Sequence, residues 1–148
     1  MRRPKPPAPA TGSADDVEVE FYESLQRGDI DRLMGLWSDD DEISCVHPGG
    51  PRLVGAVAIR ASFEAMFANG TIDARPEKVR RLDTHSTAVH SVLERVRVFG
   101  PEGEAFAYVV ATNVYVKATR GWRLVAHHAS PGTASEVPEV AETASILH

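Results

Sequence analysis

Gly121-Trp122-Arg123-Leu124-Val125-Ala126-His127-His128-Ala129-Ser130-Pro131-Gly132 reads as an apolar strand that turns polar at its end. Neighbouring residues on a strand point to opposite faces. One of the two adjacent histidines therefore meets whatever lies inside the sheet, and the other does not. The strand closes a second half made of strands alone: Thr71 to Leu82, Thr87 to Val98, Ala105 to Lys117 and Trp122 to Ser130. Gly100-Pro101-Glu102-Gly103 is a hairpin turn, and a second turn falls at Ala118 to Gly121. Pro76 has no N–H to give a ladder, which places the first of these strands at an edge or a bulge.

Working back, three helices precede the strands. Ser13 with Asp16 resembles a capping box, followed by Val17, Phe21, Tyr22 and Leu25 at helical spacing. A second helix starts at Asp29, after Gly28, and puts Ile30, Leu33, Met34 and Trp37 on one face. A third runs from about Ala56 to Ala68 with Ile59, Phe63, Met66 and Phe67 on one stripe. Between the last two, Glu42 to His47 is a short strand, and Pro48-Gly49-Gly50-Pro51 turns the chain. The order ααβαββββ predicts an α+β fold with helices on one face of a mostly antiparallel sheet.

The strand Phe106 to Val116 is apolar on both faces. Such a strand is normally covered twice, and three helices cover one face only. A second copy of the chain is the simplest cover, so a homodimer is expected.

Composition narrows the function classes. The 148 residues carry 43% hydrophobic and 25% charged residues and a net charge of −5. Arg2, Arg3 and Lys5 make the first thirteen residues positive, leaving −8 on the rest. An acidic body does not suit nucleic acid. No apolar run reaches the length of a membrane span, and no apolar stretch follows the N-terminal basic residues as a secretory signal requires. Cytoplasm is the expected compartment. Residues 1–12, rich in proline and alanine, read as a disordered arm, 13–132 as the folded domain, and 133–148 as a mobile tail.

Turn lengths set a register. If Phe99 opposes Glu104, His90 opposes Asn113 and Val92 opposes Ala111. If Lys117 opposes Trp122, Asn113 opposes Ala126 and Ala111 opposes His128. Opposed residues share a face, so His90, Glu94, Asn113, Tyr115 and His128 project to one side, beside the small Ala111 and Ala126. Polar groups among small residues describe a ligand cavity. A slip of one residue sends half the set to the other face. Glu94 and His128 are the candidate proton carriers. Trp37, His47, His90, Asn113 and Tyr115 are the candidate ligand contacts. A set of His47, Glu94 and His128 has metal-ligand chemistry but no metal-site spacing, so no metal and no cofactor is expected. The chain has no glycine-rich phosphate loop.

The element order, the phrase Leu36-Trp37-Ser38-Asp39-Asp40, the segment Cys45-Val46-His47-Pro48-Gly49-Gly50 with Gly55 and Ile59, and the ending quoted above together resemble the SnoaL-like branch of the nuclear transport factor 2 superfamily. The ending is also similar to the association domain of calcium/calmodulin-dependent kinase II. The resemblance covers about residues 14 to 132. It implies a curved sheet wrapped by helices into a cone, usually dimeric through the sheet, with a pocket at the open end. The pocket arginines of the association domain align with Glu94 and Asn113, so an acid and an amide replace two cations and a carboxylate ligand is not implied. Enzymes of the superfamily (ketosteroid isomerase, scytalone dehydratase, polyketide cyclases) place acid/base groups in the same cavity. Two functions remain open: a cofactor-free lyase, isomerase or cyclase acting on a small organic molecule, or a non-catalytic ligand-binding or dimerisation module.

Overall fold

A computed structural model describes residues 10–132. Helix α1 spans Ala14–Arg27. The Ser13 hydroxyl caps it by accepting from the Asp16 N–H at 3.0 Å, and Gly28 ends it in the left-handed region at φ 66°. Asp29 caps α2, Ile30–Gly35, by accepting from the Arg32 N–H. Strand β1, Ser44–Val46, turns back into β2, Arg52–Val54, and Gly55 at φ 90° leads into α3, Ala56–Phe67. Then come β3, Ala74–Asp83; β4, Thr87–Gly100; β5, Gly103–Ala118; and β6, Gly121–Pro131.

The strands form one sheet in the order β2-β1-β6-β5-β4-β3, antiparallel except where β1 runs parallel to β6. The α+β class holds. Strand β2 is an addition to the expected order. Its three residues carry too little pattern to separate them from the preceding turn. Strand β3 is the edge, with Pro76 opposite Glu94 and a register shift between Glu77 and Arg80, as a proline in the strand requires.

The three helices lay their apolar stripes on one sheet face. Val17, Phe21 and Leu25 of α1, Leu33 of α2 and Ile59 and Phe63 of α3 form one buried cluster with Ala88, Val92, Tyr115 and Leu124. Burying each large apolar side chain stabilises by roughly 1.5–3 kcal/mol. On β5 the other face carries Tyr108, Val110, Val114 and Val116, all half-buried, with Thr112 exposed.

The expected arm and tail lie mostly outside the described residues. Within them, Thr11 is attached to the sheet, its carbonyl accepting from the Trp122 N–H at 2.8 Å.

Candidate functional site

The β4–β5 register is the one the turn gives, with His90 opposite Asn113 and Val92 opposite Ala111. Between β5 and β6 the register starts as expected, with Lys117 opposite Trp122, but shifts at Val114/Tyr115. Tyr115 pairs with Leu124 and Val114 with Ala126, so Val125 is an extra residue on β6. That bulge exchanges the faces of everything after it. Asn113 now opposes His127, and His128 opposes Thr112. His127 is buried on the helix-covered side and His128 is exposed on the other. The placement of His128 beside Glu94 is therefore corrected: His127 occupies that position. A His47, Glu94, His128 metal set is not assembled.

A cavity of about 180 Å³ opens between the sheet and helices α1 and α3. Its wall is mostly apolar, including Phe21, Phe63, Met66, Ile72, Val96 and Val109. Three titratable side chains reach it: His47, Glu94 and His127. Behind the last two runs a buried chain of hydrogen bonds. The Tyr22 hydroxyl donates to Glu94 Oε2 at 2.7 Å, Asn113 Nδ2 donates to the Tyr22 oxygen at 3.1 Å, and His127 Nδ1 meets Asn113 Oδ1 at 2.5 Å. Burial pushes the Glu94 carboxyl up to about 7. The Tyr22 hydrogen bond opposes that shift and the Glu18 charge adds to it. Burial also drives the His127 imidazole down to about 3, with His47 and His128 adding repulsion. His127 is neutral at pH 7, and Glu94 is poised between acid and base.

His47 stands on the turn after β1. The Ser62 hydroxyl donates to the Ile59 carbonyl at 2.8 Å, so His47 Nε2 at 3.0 Å is the donor to Ser62 Oγ. Burial lowers the His47 pKa. Cys45 beside it is fully buried and its thiol is pushed up to about 12, which removes it as a nucleophile at neutral pH.

Of the expected site residues, Glu94 and His47 line the cavity. Asn113 lies behind it, fully buried and hydrogen-bonded. His90 and Tyr115 belong to a second buried cluster, where His90 Nδ1 meets Glu18 Oε2 at 2.7 Å and the Tyr115 hydroxyl donates to the same oxygen at 2.9 Å. Trp37 is a core residue, bridged to Leu124. Trp37, His90, Asn113 and Tyr115 do not line this cavity. Tyr22 and Glu18 were missed. Their signal was present: Glu18 falls on the stripe Val17, Phe21, Tyr22, Leu25, where an acid on an apolar helix face has to find a partner. Among the described residues no group of three or more His, Cys, Asp or Glu side chains is arranged to hold a metal ion, and no helix is long and apolar enough to cross a membrane.

The chain matches no curated protein. Among solved structures it is similar to a candidate calcium/calmodulin-dependent protein kinase type II association domain from Thiobacillus denitrificans, at 31% identity and TM-score 0.75, over 84% of this chain and 99% of that one. It is also similar to a candidate dehydratase of the nuclear transport factor 2-like family from Streptomyces avermitilis, at 33% identity and TM-score 0.71, over 80% and 93%. A protein of cystatin-like fold from Caulobacter vibrioides shares the fold at 14% identity and TM-score 0.69, over 80% and 87%. The sequence profile of the SnoaL-like domain matches residues 15–134, and the chain belongs to that family.

Proposed function

We propose that the cavity binds a compact, neutral, hydroxyl-bearing organic molecule and that Glu94 moves protons on it. The observation that carries this is a mostly apolar cavity into which a carboxyl of pKa about 7 and a neutral imidazole both open. An acid whose pKa lies near the working pH is the efficient proton carrier. As a carboxylate, Glu94 takes a proton from a carbon beside a carbonyl. It can return that proton to another carbon of the same molecule or to a departing hydroxyl, so one residue closes the proton balance of an isomerisation or a dehydration. His127, held neutral, is too weak a base to compete. It accepts a hydrogen bond from a substrate hydroxyl. No cation lines the cavity, so a carboxylate ligand would be buried there without a counter-charge. The volume is below that of drug-sized sites, which favours a small substrate.

The test uses neutral β-hydroxy ketones, with ultraviolet absorbance reporting the conjugated enone. Turnover by the native chain and its loss in Glu94→Gln, with fold retained, supports the reading. Equal rates in both proteins overturn it.

A second reading concerns assembly. The outward face of β5, with Tyr108, Val110, Val114 and Val116 uncovered by helices, supports pairing of two copies through the sheet. Light scattering at micromolar concentration is expected to return twice 16.1 kDa. A monomer removes this reading and leaves the cavity chemistry untouched.

A further inference from the structure

Asn113 was expected at the ligand, yet it is fully buried and its amide is surrounded by protein partners. With Glu94 ionised, the donors and acceptors around it leave one consistent assignment. Tyr22 donates its hydroxyl hydrogen to Glu94, and Tyr115 donates its own to Glu18. Glu18 accepts a second hydrogen bond from His90 Nδ1. Both phenol oxygens can then only accept. Asn113 Nδ2 donates to the Tyr22 oxygen at 3.1 Å. With its nitrogen so pinned, the amide turns Oδ1 to β6. An amide oxygen is acceptor only, so His127 Nδ1 at 2.5 Å must carry the hydrogen. Nδ1 being committed to Asn113, Nε2 is the unprotonated ring nitrogen left to the cavity.

We infer that Asn113, held by Tyr22 on the ionised Glu94, is a positioning residue that locks His127 in its Nδ1–H tautomer and so decides that the cavity meets a hydrogen-bond acceptor rather than a donor. This rests on the cavity reading only for its consequence. The lock is a property of the unliganded chain. It extends the site to Asn113 and Tyr22, which do not line the cavity.

The test reads the imidazole nitrogens directly. Long-range ¹H–¹⁵N spectra of the uniformly labelled full-length chain at pH 8.5, where Glu94 is ionised, should show His127 with a protonated Nδ1 and a bare Nε2. Asn113→Leu removes both ends of the lock and should populate both tautomers. Tyr22→Phe nearly keeps the size of the side chain and removes the acceptor that pins Nδ2, so it should move His127 partway toward Nε2–H. This variant serves if Asn113→Leu does not fold. A merely structural role for Asn113 would lower stability and leave the tautomer alone. A native His127 protonated at Nε2 overturns the inference before any variant is made. A single Nδ1–H form persisting in every folded variant also overturns it. Since no ligand is present, failure of the substrate reading leaves this result standing, and the reverse holds.

Discussion

Glu94 and Glu18 are both acids buried against the same sheet face, 6% and 4% exposed, and each accepts a tyrosine hydroxyl. They differ in what else they meet. Glu18 has a second protein donor, His90, and does not line the cavity that Glu94 lines. Glu94 accepts from Tyr22 and also lines the cavity. A buried carboxylate with a full set of partners is a structural device, whereas one that is short of donors has kept capacity for something that comes and goes. Asn113 and Tyr115, two residues apart and both buried on β5, set the two clusters side by side.

The contrast breaks most easily at Glu18. Removing it leaves His90 Nδ1 and the Tyr115 hydroxyl without their acceptor in the core. Each orphaned group costs about 1–3 kcal/mol, so Glu18→Ala should lose about 4 kcal/mol. At roughly 2–4 °C per kcal/mol for a domain of this size, the melting temperature should fall by about 10 °C. A loss under about 1 kcal/mol would mean that Glu18 is not the structural member of the pair.

The second effect is the pH dependence of stability, in which Glu94 and His127 oppose each other. Unfolded, the Glu94 carboxyl titrates near 4.5 and in the fold near 7. Between these values the native state holds a proton that the unfolded chain has lost, so stability falls as pH rises through the window. His127 goes the other way. Its pKa drops from 6.5 unfolded to about 3 folded. In that window the unfolded chain binds the extra proton, and stability rises with pH. Each slope is about 1.4 kcal/mol per pH unit at most, so they largely cancel between pH 4.5 and 6.5. Chemical denaturation across pH 3 to 8 should show Glu94→Gln rising with pH more steeply than the native chain. His127→Gln should instead fall over pH 4.5 to 7. Parallel curves for the three proteins would sink both pKa assignments.

Why half of the site was legible in the sequence follows from the same residues. Helical stripes and capping serine and aspartate set α1, α2 and α3 to within a residue or two, because burial periodicity is a local property. A short hairpin turn fixed the β4–β5 register and with it Glu94, His90 and Asn113. The β5–β6 turn was read correctly as well, since Lys117 does oppose Trp122. What failed was three residues further on, at the extra Val125. A bulge in a run such as Leu124-Val125-Ala126 has no glycine or proline to mark it, and apolar residues there satisfy either face. One unmarked residue exchanged His127 for His128. The partners from α1 were hidden for another reason. Tyr22 and Glu18 meet the strands 72 to 97 residues away, and no local pattern encodes which strand residue a helix will face.

A smaller effect sharpens the reactive half. Tyr22→Phe takes away Glu94's one protein donor and Asn113's acceptor. The cost should be about 1–2 kcal/mol, the worth of one buried hydrogen bond with some of the desolvation left over. Since the Tyr22 bond holds the Glu94 pKa down against burial, its loss should move the acid limb of the stability curve to higher pH. The same loss at Glu18's side, Tyr115→Phe, should leave Glu94's limb nearly in place. Equal movement in the two variants would erase the distinction between the clusters.

The smallest expected effect compares the adjacent histidines. His128 lies on the outward face, exposed, and opposite Thr112. Its truncation removes no buried contact, so His128→Ala should stay within about 0.5 kcal/mol of the native stability. His127→Ala empties a buried position packed 5.2 Å from the Phe21 ring and leaves Asn113 Oδ1 without its donor. That should cost about 2 kcal/mol from the orphaned acceptor alone. The pair of variants is therefore a solution test of the bulge at Val125. With the bulge, only His127 matters to stability and to any cavity ligand. Without it, the ranking reverses. If His128→Ala changes the sedimentation coefficient while leaving stability unchanged, the outward face is where two chains meet, and His128 reports assembly instead of chemistry.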